Sequence, residues 1–195
     1  MEQDKQEEIL QQEASAGGSK KSHFKTELIS WVKVIITAVV IALALDFLVI
    51  ANAVVPTGSM ENTVPVGSRI IGFRLYYLFE EPQRGDIVIF KFPDDEKKDY
   101  LKRIIGLPGD TVDIVDGKVY INGSDVPLDE PYLSEEPVGS YGPYVVPENC
   151  YFMMGDNRNY SNDSRFWDTT YVTRDELVAK AFIMYYPNFK WLGGL

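Results

Sequence analysis

Ser59 is the first residue whose surroundings could support covalent chemistry. It follows Gly58 in the stretch Pro-Thr-Gly-Ser-Met, and the glycine permits a turn that can present the serine hydroxyl as a nucleophile. The only histidine of the chain, His23, lies before an apolar run that ends just short of Ser59, so a Ser-His-Asp triad at Ser59 is excluded. Ser59 is either an ordinary turn serine or a nucleophile that uses a different base.

Lys102 is the residue best suited to be that base. A lysine accepts a proton near pH 7 only when burial or positive neighbours lower its pKa by several units. Lys102 lies in the stretch Tyr100–Ile105, where strand alternation places it on one face with Tyr100 and Ile104, and the positive charge of Arg103 follows directly. The alternative is a strand lysine that pairs with an acid or extends its ammonium group to solvent.

The segment Met154–Trp167 contains short polar side chains directly after an apolar stretch. Its charged members can form ion pairs that fix a loop: Asp156, Arg158, Asp163 and Arg165. Ser161 could orient a neutral lysine by a hydrogen bond. The alternative is a solvated polar loop, but this density of complementary charges beside Phe166 and Trp167 favours an ordered site.

Strands are the elements that must position these residues. Apolar stretches rich in β-branched and aromatic residues predict strands at Asp86–Phe92, Tyr100–Ile105, Val112–Val115, Lys118–Ile121, Tyr151–Met154 and Ala179–Tyr186. Asp116-Gly117 separates two of them as a hairpin turn, and the capping-box spacing of Thr173 and Glu176 predicts a short helix over residues 173–180. We therefore predict a mainly β fold, in which a single N-terminal transmembrane helix precedes an antiparallel β-sheet domain with a small cap or insert.

The apolar run Val34–Val55 defines the expected domain boundaries. Its 22 residues are enough to cross a bilayer as one helix. We expect a tail over residues 1–33, the membrane helix over 34–55 and an outer domain over 56–195, with the insert at 107–148. Four lysines, at positions 20, 21, 25 and 33, lie just before the run, whereas the first twenty residues after it contain only two basic residues, so the positive-inside rule places the N-terminus in the cytoplasm. Asp46 near the middle of the run has no evident partner in the sequence.

Charge and cysteine content exclude several function classes. The formal net charge is −10, and residues 56–195 contain 14 basic and 22 acidic side chains, which argues against nucleic-acid binding. Cys150 is the only cysteine, so no internal disulfide can form, and no histidine follows it that could activate its thiol. Ala51-Asn52-Ala53 also matches the end of a cleavable secretory signal, which is the competing interpretation of the apolar run.

Four segments in order give the chain a resemblance to the bacterial type I signal peptidases. They are PTGSM, RGDIVIFKF, YLKRIIGLPGD and GDNRNYSNDSRFW, and they cover most of residues 50–185 apart from the loop at 125–148. The sequence departs from the family pattern at Asn62, where many members have proline, and at Asp168, where glycine is common. These departures concern local turn geometry.

The resemblance implies a membrane-bound Ser-Lys endopeptidase that removes signal peptides after small-x-small sites through an acyl-enzyme. Ser59 would be the nucleophile and Lys102 the general base. Thr57 would join the oxyanion hole, Ser161 would position the lysine, and Asp163 and Arg165 would brace the site. No metal or cofactor is implied. The expected partners are preproteins and membrane lipid, not nucleic acid, for a monomer in the bacterial cell membrane with its catalytic domain outside.

Other classes account for the sequence less well. Self-cleaving repressors also use a Ser-Lys dyad, but they are soluble and carry a DNA-binding domain. Ser22-His23-Phe24-Lys25 matches the Ser-x-x-Lys pattern of penicillin-binding enzymes, although it precedes the apolar run and lacks companion motifs. A sortase would pair Cys150 with a histidine. An anchored binding protein or an inactive homologue would have no use for a neutral lysine, so the pKa of Lys102 separates these from an enzyme.

Overall fold

The computed structural model describes residues 27–46 and 48–193, which leaves the Ser22–Lys25 pattern and most of the predicted tail outside the described residues. The chain divides into two compact units, Met1–Asp46 and Phe47–Leu195. The described part of the first unit is one helix, α1 (Glu27–Asp46), which is long and apolar enough to cross a membrane.

The structure differs from the predicted membrane helix over 34–55 at the C-terminal end of that range. The residues described as helical are 27–46 together with Leu48 and Val49. Ile50–Val54 instead forms strand β1, because its backbone pairs antiparallel with Arg69–Phe73 and Ala51 is buried in the core. The sequence Ala51-Asn52-Ala53 therefore lies within a paired strand.

The second unit consists of antiparallel strands, which confirms the mainly β fold. The strands are β1 (Ile50–Val54), β2 (Arg69–Phe73), β3 (Ile87–Phe92), β4 (Asp95–Gly106), β5 (Thr111–Val115), β6 (Lys118–Ile121), β7 (Tyr141–Val145), β8 (Cys150–Met154), β9 (Val172–Thr173), β10 (Leu177–Tyr186) and β11 (Lys190–Trp191). A four-residue helix, α2 (Tyr76–Phe79), follows β2. The larger sheet has the order β1-β2-β10-β3-β4-β8-β9, with β11 beside β10.

A second sheet forms within residues 111–145. Its order is β6-β5-β7, and Asp116-Gly117 makes the hairpin turn between β5 and β6 with positive φ angles of 49° and 80°. Asparagine, aspartate and glycine tolerate this left-handed conformation best, which is why the Asp-Gly pair predicts the turn. The sheet packs on the larger one through a shared apolar cluster that includes Val112, Ile114 and Phe152.

The helix predicted over 173–180 is reduced to a single turn. Thr173 and Glu176 do form the capping box, but the 3-10 turn covers only Arg174–Glu176. Residues from Leu177 onward enter β10, which pairs with β2 on one side and β3 on the other. Backbone pairing in the middle of the sheet therefore outweighs the local helical preference.

Candidate active site

The turn that contains Ser59 is held by core packing and by the loop after β8. Ser59 lies in a 3-10 turn at Gly58–Met60, and the Met60 side chain is fully buried. Asn157 binds the turn twice: its backbone N–H donates to the Ser59 carbonyl oxygen at 3.0 Å, and its Nδ2 donates to the Gly58 carbonyl oxygen at 2.8 Å. The Ser59 backbone is therefore fixed before any substrate binds.

Lys102 reaches Ser59 from β4. Its side chain is almost fully buried, and its Nζ donates a hydrogen bond to Ser59 Oγ at 2.5 Å. Burial lowers the pKa of Lys102 to about 8, although the carboxylates of Asp163 and Asp156 oppose the shift; the positive charge of Arg165 acts in the same direction as burial. A lysine with this pKa can accept the serine proton at neutral to mildly basic pH.

Arg103 is not a charge that lowers the pKa of Lys102, and that part of the sequence interpretation was wrong. Successive residues of a strand point to opposite faces, and Arg103 forms a buried ion pair with Asp156. Its Nε donates to Oδ1 at 2.9 Å and its Nη2 donates to Oδ2 at 2.6 Å. Asp156 therefore compensates the charge of Arg103, whereas Arg165 is the cation that acts on Lys102.

All four charged residues of the segment after β8 are ion-paired, but only one pair lies within the segment. Arg165 binds Asp163 through Nε at 2.8 Å and through Nη2 at 2.9 Å. Asp163 also accepts a hydrogen bond from the Gly155 backbone N–H at 3.0 Å. The other two charges find partners outside the segment, Arg103 for Asp156 and Glu130 for Arg158. The segment is thus an ordered loop and not a solvated one.

Ser161 lies beside Ser59 and Lys102, but it does not make the hydrogen bond to Lys102 that the sequence led us to expect. It is buried, and its Oγ has no hydrogen-bond partner among the described residues. Gly155 is the reason that this loop can lie so close to the serine turn, because a Cβ atom there would overlap both Ser161 Oγ and the Ser59 carbonyl oxygen. The glycine is therefore required by close approach and not by a special backbone angle.

Thr57 and Ser59 border a cavity of about 390 Å³. One wall is the chain from Ala53 in β1 to Ser59, and the other is the β4 stretch Asp99–Lys102. Apolar side chains from Ile70 and other core residues contribute to its lining. β1 lies at the edge of the larger sheet, and β4 pairs with β8 only from Arg103 onward, so both walls present strand edges without a neighbour in that sheet.

Several residues that fix this site were missed by sequence reasoning. Asn62 and Thr63 both bind Asp156, with Asn62 Nδ2 donating to its carbonyl oxygen at 3.1 Å and Thr63 Oγ1 donating to its carboxylate. Glu130 and Tyr132 reach the site from the loop between the hairpin and β7. Only the unusual asparagine at position 62 gave a sequence signal; the others lie far along the chain from the residues they contact.

Metal ligands and the Cys150 thiol are the other candidate groups for chemistry. Within residues 27–46 and 48–193, no group of three or more His, Cys, Asp or Glu side chains could hold a metal ion. Cys150 lies in β8, and burial raises the pKa of its thiol, which disfavours the nucleophilic thiolate.

The chain is similar in sequence to proteins of one known family. A family model described as signal peptidase, peptidase S26, matches residues 28–186. A probable signal peptidase I-2 of Synechocystis sp. is 39% identical over 160 residues, which cover 80% of this chain and 72% of that protein. The signal peptidase I of Bacillus licheniformis is 43% identical over 156 residues, which cover 75% of this chain and 82% of that protein.

A solved structure is also similar. It is a signal peptidase I from Enterococcus faecalis V583, with 34% identity, 52% of this chain and 97% of that chain covered, and a TM-score of 0.45. The family match over residues 28–186 includes the serine turn, β4 and the loop after β8. On those matches, the chain belongs to the signal peptidase family, peptidase S26.

Proposed function

We propose that this protein is a membrane-anchored endopeptidase that removes signal peptides from exported preproteins, with Ser59 as the nucleophile and Lys102 as the general base. The observation that carries the proposal is the buried contact between Lys102 Nζ and Ser59 Oγ at 2.5 Å, at the edge of a largely apolar cavity. A buried lysine with a lowered pKa beside a serine hydroxyl is the arrangement that serine activation without histidine requires.

The reaction follows from the positions of these groups. Neutral Lys102 takes the proton of Ser59 Oγ, and the oxygen attacks the carbonyl carbon of the scissile peptide bond. The Lys102 ammonium then gives its proton to the departing amine, which leaves an ester on Ser59. Lys102 next takes a proton from a water molecule that attacks the ester, and Ser59 recovers its proton as the new carboxyl end departs. No cofactor takes part.

The oxyanion that forms at the carbonyl needs hydrogen-bond donors. The Ser59 backbone N–H and the Thr57 hydroxyl are the proposed pair, since Thr57 lines the same cavity as Ser59. Donors that are fixed before the reaction stabilise the developing charge without reorganisation. The double hydrogen bond from Asn157 keeps the Ser59 turn in one conformation.

The loop after β8 supports Lys102 in this proposal. Asp163 and Arg165 brace the loop through their buried ion pair, and the Arg165 charge helps to keep Lys102 neutral. Ser161 is proposed to position the lysine, and its buried hydroxyl without a partner among residues 27–46 and 48–193 is available for a hydrogen bond when the lysine has given up its proton.

A substrate would bind as an extended chain between the two cavity walls. The edges of β1 and of the first half of β4 offer backbone groups for strand pairing. Alternate side chains of an extended peptide point to the same side. The residues at the first and third positions before the cut would thus enter the cavity together, and the apolar lining would select small side chains at both.

The anchor in this proposal is α1, in the lipid of the bacterial cell membrane. The 20-residue helix Glu27–Asp46 spans roughly 30 Å at 1.5 Å per residue. The lysines that precede the apolar run favour a cytoplasmic N-terminus and an outer catalytic unit. We propose that the enzyme works as a monomer, because Ser59 and Lys102 both come from one chain.

The function is tested by incubating the full chain in detergent with two preproteins. One carries an Ala-x-Ala site, and the other has leucine at both alanine positions. We expect cleavage after the second alanine, identified by the product masses, and cleavage at least about a hundredfold slower for the leucine substrate. Equal rates would contradict the proposed site selection. No cleavage of either substrate would contradict the peptidase proposal itself.

The pH dependence of kcat/KM reports the proton held by Lys102. Only the neutral amine can take the serine proton, and with a pKa of about 8 it rises from roughly a tenth of the molecules at pH 7 to nearly all at pH 10. We expect kcat/KM to rise about tenfold per pH unit below pH 7 and to level off above pH 8 to 9. A profile still rising steeply beyond pH 10 would contradict a lysine with a lowered pKa.

Replacing Thr57 with valine tests the oxyanion donor. Valine keeps the branched shape but has no hydroxyl, so kcat is expected to fall by about 10²- to 10³-fold with little change in KM. Thr57→Ser is the matched control, because it keeps the hydroxyl and should retain most of the activity. Steady-state kinetics on the Ala-x-Ala preprotein measures both. Equal activity of the valine and serine variants would remove Thr57 from the oxyanion hole.

A further inference from the structure

The loop from Asp125 to Ser140, which lies outside the segments that carry the family resemblance, reaches into the core of the site. Glu130 on this loop forms a two-bonded ion pair with Arg158, with Nη1 donating to Oε2 at 2.8 Å and Nη2 donating to Oε1. The side chains of Arg158 and Glu130 are 1% and 6% exposed. A loop that only covered the surface would not bury a carboxylate in this way.

Tyr132 extends the same contact toward β4. Its hydroxyl donates to Glu130 Oε1 at 2.7 Å, and its ring lies 3.8 Å from the Arg103 guanidinium. Arg103 directly follows Lys102 in the strand and holds Asp156. One short loop thus contacts both the strand that carries the proposed base and the segment that follows β8.

The pair formed by Glu130 and Arg158 also shapes the segment that surrounds Ser161. Arg158 Nε donates to the Gly155 carbonyl oxygen at 3.1 Å, and the Arg158 carbonyl oxygen accepts from Arg165 Nη2 at 2.7 Å. Arg165 in turn binds Asp163. Arg158 therefore links the start of the segment, at Gly155, to its end, at Arg165. Glu130 in turn fixes the guanidinium of Arg158.

The charges around Lys102 balance only when Glu130 is counted. Three arginines and three carboxylates form three buried ion pairs: Arg103 with Asp156, Arg158 with Glu130, and Arg165 with Asp163. Without Glu130 this group would carry one uncompensated positive charge. The groups that act most directly on Lys102 are Asp163, Asp156 and Arg165, and the Tyr100 ring lies 5.6 Å from its Nζ.

We infer that Glu130 and Tyr132 are positioning residues of the active site, which act through Arg158 and Arg103 to hold the loop after β8 and β4 against the Ser59 turn. This inference rests on the proposed function of Ser59 and Lys102. The insert would thus contribute to the reaction by positioning the active site. The buried ion pair of Glu130 with Arg158 would support the site in the same way as the ion pair of Asp163 with Arg165.

The test compares Glu130→Gln with Glu135→Gln in the full chain in detergent. Both remove one carboxylate from the same loop, but Glu135 is exposed. For Glu130→Gln we expect kcat to fall about 10- to 100-fold with KM within about twofold. The uncompensated charge of Arg158 disfavours protonation of Lys102, so the acidic limb of the kcat/KM profile should also move to lower pH by about half a unit. Glu135→Gln should match the unaltered chain.

If Glu130→Gln does not fold, Tyr132→Phe tests the same inference. It retains the ring beside Arg103 but loses the hydroxyl that binds Glu130, and kcat should fall about three- to tenfold at unchanged KM. Circular dichroism gives the folded fraction by which each rate is corrected. An unchanged kcat and pH limb in a folded Glu130→Gln variant, or an unchanged kcat in Tyr132→Phe when the former is unfolded, would overturn the inference. Failure of the unaltered chain to cleave would instead overturn the proposed function.

Discussion

Replacing Lys102 with methionine is expected to reduce preprotein cleavage about 10⁴-fold. Methionine fills nearly the same buried space in β4, so the fold should be retained while the amine that contacts Ser59 Oγ and can take its proton is lost. The measurement is single-turnover cleavage of the Ala-x-Ala preprotein in detergent, because single turnover separates the chemical step from product release.

Lys98→Met is the matched control for this experiment. Lys98 lies in the same strand, but its side chain is 62% exposed and pairs with Asp95, so its loss should leave the rate within about twofold. Ser59→Ala should be as inactive as Lys102→Met, and the double variant should be no slower than either single one, since the two residues act as a unit. Additive losses, or an active and folded Lys102→Met variant, would assign the base to another group.

The sequence was sufficient for those features that depend on local chemistry. Asp116-Gly117 predicted a hairpin because few residue pairs adopt its backbone angles. Strand alternation placed Lys102 on one face with Ile104, and both are buried in the structure; the density of complementary charges after β8 predicted an ordered loop. In each case the residues concerned are close in the chain or have narrow conformational preferences.

The sequence was not sufficient where distant partners decide the outcome. Ile50–Val54 is apolar and suits a membrane helix as well as a strand, and only pairing with Arg69–Phe73 decides between them. Residues 177–180 have a local helical signal, but two neighbouring strands draw them into β10.

Ion-pair partners were also decided by residues far apart in the chain. Arg103 was expected to act on its neighbour Lys102, yet it pairs with Asp156, 53 positions away. Arg158 pairs with Glu130, 28 positions away, from a loop that no short motif connects to the site. Charge complementarity in the sequence shows that pairs will form, but the tertiary fold decides which carboxylate each arginine meets.

Replacing Arg103 with methionine is expected to have the largest effect on stability, about 3–5 kcal/mol of the free energy of unfolding. The change leaves the Asp156 carboxylate buried without the two hydrogen bonds from Arg103, and of its partners among residues 27–46 and 48–193 the Thr63 hydroxyl alone remains. For a unit of about 150 residues this corresponds to a fall in Tm of roughly 10 °C, measured by near-ultraviolet circular dichroism of the full chain in detergent.

Lys91→Met provides the matched comparison, because it breaks an ion pair with Asp99 whose side chains are 41% and 50% exposed. An exposed pair contributes at most about 1 kcal/mol, so the Tm should change by only a few degrees. Arg103→Met combined with Asp156→Asn should recover part of the loss, since the uncompensated charge is then removed. If Arg103→Met were no less stable than Lys91→Met, the buried pair could not be what joins β4 to the loop after β8, and the support of Lys102 would have to come from the core packing of β4 alone.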